Sequence, residues 1–545
     1  MYERVAQVLW ECGVTQIFGV AGSGNYHVTR SLIERGAGYI SARHEGGSMS
    51  MADAFSRMAD SVPVVSVHQG GGVTNVITGM TEAAKSGTPV VVLAGEAPLR
   101  DQLSNFRIHQ DRLVEAVGAK SVRIFADTAT ADVRRAVSTA MTLRVPVLLN
   151  FPVDVQVMDS PETDPIVGLD PSAPPLPGKA GVEAIANLLL DARAPLILGG
   201  RGARHARQEL LTLAERAGAL TATSAVARGL FHGDPYNLDV MGDLATPLNA
   251  ELVLDSDVIV AFGCSLGRWT TSNGSLLPEK ATLVQVDSDP MHLEVQRPVH
   301  LAVVGDSAEI AKAVAEHIPE MEELSGKRRT GTNRKRIAQE GRWQDVPFRN
   351  ESTQDRIDPR AATIVLDRML DADRNVAVDS GNFLGYPSMF LTIPDARSLC
   401  FSQAFQCVGL GLASAIGHAV ARPDRLTVAA CGDGGLLMGA SELETVVRLG
   451  LPMVVLVYND SAYGAEVHHF GRTPEDEGFV TFPDVDMAAI ARGHGFTGIT
   501  VRAESDLAQV DAWLTGARET PLLVDLKVTD RKPSWWLADA FKAET

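Results

Sequence analysis

Two acidic turns, 27 residues apart, carry the most specific chemistry in the sequence. Cys431-Gly432-Asp433-Gly434-Gly435 follows the apolar run Leu426 to Ala430 and opens a helix-period stretch. Backbone N–H groups at such a strand-to-helix turn, with the helix dipole behind them, form a cradle for phosphate. An Asp inside the cradle points to a cation as well. After that helix and a second apolar run, Met453 to Tyr458, comes Asn459-Asp460-Ser461-Ala462-Tyr463-Gly464. Its acid falls at the C-terminal edge of the neighbouring strand, where open α/β sheets bind ligands. Mg²⁺ is held by one or two carboxylates plus phosphate oxygens, a set that Asp433, Asp460 and a diphosphate would supply.

Residues suited to moving protons are more scattered. Glu45 sits in Ala42-Arg43-His44-Glu45-Gly46-Gly47-Ser48, leading into the helix MSMADAFSR. It reads either as a catalytic carboxyl or as an acid in a helix's first turn, which favours the dipole by about 0.3 to 1 kcal/mol. Ser23 closes FGVAGS, His68 opens HQGGGVTN, and Glu466 follows Asp460 by six residues, with His468 and His469 just beyond. A His or Glu on a strand-to-helix connection is often a solvated or capping residue, the better reading for His468 and His469. Val408, in Gln406-Cys407-Val408-Gly409-Leu410-Gly411, reads from the residues alone as a core side chain.

The elements that must position these residues follow an α/β pattern. Short apolar runs (Thr15 to Val20, Val62 to Val67, Pro89 to Ala94, Val147 to Phe151) alternate with helix-period stretches, as in parallel sheets covered by helices. Six prolines between Val155 and Gly181 suit an extended linker, and a charge cluster from Lys327 to Arg336 marks a second boundary between Glu320 and Pro359. Three domains result: 1–155, 181–320 and 357–545. A faint repeat links the first and third, because the segments starting at Pro63 and Arg425 both read strand, Gly-rich turn, helix, Gly-x-Pro, strand. Gly70 to Pro89 spans 19 residues and Gly434 to Pro452 spans 18, so the two units can share one topology. In the second domain, Ala194 to Ala203 holds a Rossmann-like Gly-rich turn, yet no acid closes a second strand where dinucleotide binding wants one.

GDGG followed by ND resembles the GDG…NN signature of the thiamine diphosphate-dependent enzymes, the family of acetolactate synthase, benzoylformate and pyruvate decarboxylases and benzaldehyde lyase. The resemblance covers the whole chain and implies an α/β fold of three domains, each a mainly parallel sheet flanked by helices: pyrimidine-binding, central Rossmann-like and diphosphate-binding. It implies that Asp433 and Asp460 bind Mg²⁺ by side chain and Ala462 by its carbonyl. Gly432, Gly434, Gly435, Asn382, Tyr463 and Gly464 would contact thiamine diphosphate, with Val408 wedged beneath it in place of the usual Leu or Met. Asp460 departs from the usual Asn and adds a negative charge. Arg43-His44-Glu45 resembles the segment whose buried Glu hydrogen-bonds N1′ of the aminopyrimidine and promotes the imino tautomer that deprotonates C2. Ser23 and His68 match active-site residues of benzoylformate decarboxylase, whose second His aligns near Thr270. Glu466 matches a catalytic Glu of pyruvate decarboxylase.

The activity implied is thiamine diphosphate- and Mg²⁺-dependent non-oxidative decarboxylation of a 2-oxo acid, with C–C cleavage through an enamine, which Glu466 and His68 favour. The alternative is an acetolactate synthase-like or benzaldehyde lyase-like carboligase, which joins the activated acyl unit to a second aldehyde or oxo acid. Because the family pairs its first and third domains across two chains, a homodimer or homotetramer with sites at the dimer interface is implied. Acetolactate synthases bind flavin beside an RFDDR segment. Ser265-Leu266-Gly267-Arg268-Trp269 breaks that pattern, so no FAD is expected.

Composition agrees with such an enzyme. The 545 residues fit roughly three or four domains. Asp plus Glu number 67 against 49 Lys plus Arg, a net charge of −18, which disfavours nucleic acid or an anionic membrane as partner. Mean hydropathy is +0.04 and no run of 18 apolar residues occurs. The five cysteines are far apart and form no CxxC, which points to a reducing cytoplasm.

Overall fold

The computed structural model describes residues 1–529 and 534–537, apart from 99, 162–167, 170–174, 177, 320–326 and 472. Part of the expected linker, including Pro165, Pro171, Pro174 and Pro177, and the start of the second expected boundary at Glu320 lie outside these residues. Each apolar run named above forms a strand. The first sheet contains β1 (Gln16–Gly19), β2 (Gly38–Ser41), β3 (Val64–Val67), β4 (Val90–Glu96), β5 (Lys120–Arg123) and β6 (Pro146–Pro152). The second contains β7 (Pro195–Gly199), β8 (Leu220–Thr223), β9 (Asn237–Val240), β10 (Val258–Phe262), β11 (Thr282–Asp287) and β12 (Leu301–Val304). The third contains β13 (Arg374–Val378), β14 (Leu399–Phe401), β15 (Leu426–Gly432), β16 (Met453–Asn459), β17 (Thr497–Val501) and β18 (Leu522–Lys527).

All three sheets are six-stranded, and their paired strands run parallel. Every residue of β3, β4, β6, β16 and β18 is buried, the mark of strands covered by helices on both faces. The order β2-β1-β3-β4-β6-β5 recurs strand for strand as β14-β13-β15-β16-β18-β17. The faint repeat is therefore a shared topology, with β3–β4 and β15–β16 at the same place in each sheet. The central sheet runs β12-β11-β10-β7-β8-β9, the doubly wound order, with its switch point between β7 and β10. Its glycines are taken up by the two turns there: a Cβ on Gly200 would lie 2.1 Å from the Gly263 carbonyl oxygen.

The helix Glu45–Ala59 follows β2, and the helix Gly411–Ala421 follows β14. They cross so closely that a Cβ on Gly417 would stand 2.0 Å from the Met51 carbonyl oxygen. One apolar core runs through this seam, from Phe18 and Met49 through Leu412 and Ile416 to Val455. The central domain is joined to the third by Arg228, which pairs with Asp239 at 2.8 Å and donates to the Leu391 carbonyl at 2.9 Å. The charge cluster from Lys327 onward, read from the sequence as a boundary, is folded against the central domain. Arg329 pairs with Asp234 at 2.6 Å, and Thr330 caps the helix Gly331–Glu340. No helix among the described residues is long and apolar enough to cross a membrane.

Candidate active site

The register of the third sheet brings the two acidic turns together. β15 and β16 are neighbours with Gly432 opposite Tyr458, so Asp433 and Asp460 leave adjacent strands at the same edge. Asp433 is the first residue of the helix Asp433–Gly439, capped by Gly432, as the phosphate-cradle motif requires. Its side chain is 8% exposed, and burial raises its carboxyl to about 6, with Asp525 raising it further and Gly434 N–H and Lys527 opposing. Asp460 accepts the Ala462 N–H at 3.1 Å, which folds the second turn back on itself. Glycine is needed at both turns: a Cβ on Gly435 would lie 2.5 Å from Asp379 Oδ2, and one on Gly464 would lie 2.4 Å from Asp460 Oδ2 and 2.9 Å from Asn382 Nδ2.

Asp433, Asp460, Ala462, Gly432, Gly434, Gly435, Asn382, Tyr463, Gly464, Val408 and Glu466 all line one cavity of about 1360 Å³. It continues past Gln403 to Trp269 and Thr270 of the central domain. A diphosphate and a hard cation fit this edge. Asp433, Asp460 and Ala462 line the cavity together, and among the described residues no group of three or more His, Cys, Asp or Glu gathers to hold a metal. A hard cation here would take its remaining oxygens from its ligand. Val408 is 36% exposed, so it is presented to the cavity and not packed in the core.

Glu45, Ser23 and His68 form a second group, in the first domain, and line no part of that cavity. Glu45 begins its helix and accepts from Asn75 Nδ2 at 2.9 Å. The sequence suggests a buried carboxyl, whereas within one chain Glu45 is half-buried, because its turn lies at the surface of the first domain. His68 Nε2 is 3.2 Å from Ser23 Oγ, while Nδ1 is 3.0 Å from the Gln69 carbonyl. The carbonyl can only accept, so Nδ1 carries the proton and Ser23 donates to Nε2. Gly72 joins the pair to Glu45, since a Cβ there would lie 3.5 Å from both Glu45 Oε1 and His68 Cβ. Glu466 lies in the first turn of the helix Gly464–Phe470, exposed at the rim of the cavity.

Several supporting residues escape a reading of the sequence. Asp379, just after β13, is fully buried and accepts backbone N–H groups from Ser380, Gly409 and Leu410 at 2.9 to 3.1 Å. Burial raises it to about 6, against those donors. Asp525 accepts from Asn459 Nδ2 at 2.9 Å and pairs with Lys527 at 3.0 Å, which fixes the start of the second acidic turn. Arg356 donates to the Asn459 carbonyl at 3.0 Å and to Ser461 Oγ at 3.2 Å. Their sequence signal is faint: the Asp379-Ser380-Gly381-Asn382 strand end is the one clue, and Asp525 and Arg356 have none.

Comparison with known proteins now defines the class. Three family profiles match: the thiamine pyrophosphate enzyme N-terminal TPP binding domain over residues 1–116, the central domain over 182–314 and the C-terminal TPP binding domain over 379–526. The chain belongs to the thiamine pyrophosphate enzyme family. It is similar to an acetolactate synthase of Bacillus subtilis (strain 168), 28% identical over 559 residues, covering 96% of this chain and 92% of the relative. Acetolactate synthase 2, chloroplastic, of Zea mays is 25% identical over 537 residues, covering 92% and 81%. Sulfoacetaldehyde acetyltransferase of Castellaniella defragrans is 26% identical over 560 residues, covering 93% and 88%.

Proposed function

We propose that this thiamine pyrophosphate-family enzyme is a Mg²⁺-dependent carboligase, which takes the acyl unit of a 2-oxo acid and joins it to a second small aldehyde or oxo acid. The observation that carries the reading is similarity along nearly the whole chain to relatives named acetolactate synthase and sulfoacetaldehyde acetyltransferase. Simple decarboxylation, which Glu466 and His68 favour in the sequence, becomes the second reading.

In this proposal Asp433, Asp460 and the Ala462 carbonyl hold Mg²⁺ and with it the diphosphate, which Gly432, Gly434, Gly435, Asn382, Tyr463 and Gly464 surround. The bound cofactor supplies a thiazolium electron sink for the carbon that loses CO₂. Val408 supports it from below. Glu45 holds a proton at N1′ of the aminopyrimidine, and Ser23 and His68 orient and protonate groups on the substrate. Glu466 delivers a proton at the cavity rim when no acceptor is present. Because Glu45, Ser23 and His68 lie outside the cavity of their own chain, a second copy's first domain completes the site, giving a homodimer or a dimer of dimers. The domain limits 1–155, 181–320 and 357–545 and a cytoplasmic location belong to the same reading. So does a central domain without FAD, which rests on Ser265-Leu266-Gly267-Arg268-Trp269 standing where acetolactate synthases carry RFDDR. The visible spectrum of the purified protein tests the last point.

The deciding experiment incubates Mg²⁺-loaded holoenzyme with a panel of 2-oxo acids, with and without acceptor aldehydes, and records CO₂, free aldehyde and ligated product. Ligated product should predominate once an acceptor is present. Free aldehyde as the sole product with every acceptor would return decarboxylation to first place. Glu466→Gln should slow aldehyde release by about 10² to 10⁴, the range for losing one general acid, and raise the ligated share.

A further inference from the structure

The loop that presents Val408 is pinned at both ends by buried carboxylates from different domains. At its C-terminal end Asp379 accepts the N–H groups of Gly409 and Leu410, both at 3.1 Å, from within the third domain. At its N-terminal end the acceptor is Glu82, in the helix Ile77–Lys85 of the first domain. Its Oε1 accepts from Ala404 N–H at 3.1 Å and its Oε2 from Phe405 N–H at 2.6 Å. Glu82 is 1% exposed and is held by Arg57 at 2.9 Å, which also pairs with Asp53 at 2.6 Å and donates to the Phe401 carbonyl at 3.2 Å. Both carboxylate oxygens of Glu82 are thus spent on consecutive backbone donors. Between the two anchors lie Gln406, at φ 59°, Cys407 and Val408. An unpinned loop of these residues has no reason to hold Val408 out toward the cavity, since burying an apolar side chain is favourable.

We propose that Glu82 is a positioning residue: by binding the Ala404 and Phe405 N–H groups it sets the height of Val408 in the cavity, and through Val408 the conformation of the bound cofactor. The step to the cofactor rests on the functional reading above. The anchoring itself does not. A Gln at position 82 offers one acceptor oxygen, and its amide hydrogens oppose the other loop N–H, so one of the two bonds must be lost. An Asp keeps the charge beside Arg57 but withdraws it from the loop by one methylene.

The test measures amide hydrogen exchange in apoenzyme and C2 proton exchange of bound thiamine diphosphate in Mg²⁺-loaded holoenzyme, for Glu82→Gln and Glu82→Asp. Glu444→Gln is the control, because Glu444 makes the exposed ion pair with Arg43 across the same two domains at 2.6 Å. In the Glu82 variants, exchange at Ala404 and Phe405 should rise roughly tenfold or more, as expected for losing a hydrogen bond to a charged acceptor. C2 exchange should fall by about 10²-fold, the effect of an ångström-scale misplacement, with cofactor retention little changed. In a Val408→Ala background the fall should largely vanish. Unchanged amide exchange at 404 and 405 overturns the anchoring, whatever the cofactor does. Faster amide exchange with unaltered C2 exchange overturns the positioning role. A wild-type protein that binds no thiamine diphosphate sinks the functional reading and leaves the amide measurement to decide the anchoring. Should Glu82→Gln fail to fold, Glu82→Asp carries both readouts.

Discussion

Asp460 stands where the family signature has Asn, so two carboxylates and an anionic diphosphate would meet at one edge. Each extra negative charge deepens the need for a cation, and exhaustive chelation followed by dialysis should therefore strip thiamine diphosphate from the protein. Retention of the cofactor after that treatment would refute the metal assignment. Asp460→Asn should keep the cofactor and tolerate lower Mg²⁺, which a titration of cofactor binding against metal reads directly. Glu45→Gln belongs to the same scale. An amide cannot exchange a proton with N1′, so C2 exchange of bound cofactor should slow by about 10² to 10⁴ while the melting curve stays put. Residues of this kind were legible because their spacing is set by chemistry: Asp433 and Asp460 must leave neighbouring strands, and the helix between them fixes the count. Asp379 and Glu82 were not, since a buried acid that accepts backbone N–H groups has no partner residue type to betray it. Glu45 was legible as an acid but not in its half-exposure, which the packing around its turn sets and its own segment does not encode.

Two helices show how much an element can constrain. Gly417 lets the helix Gly411–Ala421 rest on the backbone of the helix Glu45–Ala59, and a methyl group there meets main-chain atoms that cannot turn aside. Ala is favoured over Gly inside a helix by about 1 kcal/mol, but overpacking of this kind costs about 1 to 3. Gly417→Ala should therefore lose stability in denaturant titration, and a gain would show that the seam yields. One residue further on, His418 donates from Nε2 to the Arg397 carbonyl at 2.9 Å. Burial pushes its imidazole down to about 3 from an ordinary 6.5, with Arg422 and Arg204 adding to the fall and the Arg397 carbonyl and Asp395 opposing it. The folded state keeps this ring neutral while the unfolded chain takes up a proton. Its contribution is fully present above 6.5 and is lost as pH falls from 6.5 toward 3. Wild type should lose more stability over that interval than His418→Gln, measured as unfolding free energy at stepped pH. The inner strands named above were plain in the sequence because parallel, doubly covered strands are nearly continuous apolar runs, whereas the partly exposed edge strands β2, β5 and β9 offer no such run. The helix seam was hidden, for a Gly inside a helix announces close approach without naming what approaches.

At the scale of the whole molecule, Glu45 and the Asp433–Asp460 edge lie in different domains, and only the second lines the cavity. Mixing Glu45→Gln chains with Asp433→Ala chains, each inactive alone, should restore activity once subunits exchange, because the mixed dimer holds one intact site. Demonstrated exchange with no recovery would mean that each chain builds its site alone. The three-domain plan and the repeat were legible from composition and punctuation. The packing of the charged segment after residue 326 on the central domain was not, since a run of Lys and Arg looks the same whether it is solvated or paired. The helices Glu45–Ala59 and Gly411–Ala421 also occupy equivalent places in two sheets of identical strand order, and they rest on each other. The first and third domains thus meet as a dimer with itself would, like element against like. For anyone building chimeras from relatives, the two are a single cassette. Their shared seam, with Glu82 reaching across it to the Ala404 and Phe405 N–H groups and Glu442 to those of Arg43 and His44, must be transplanted whole, while the central domain, of a different strand order, is the natural piece to exchange.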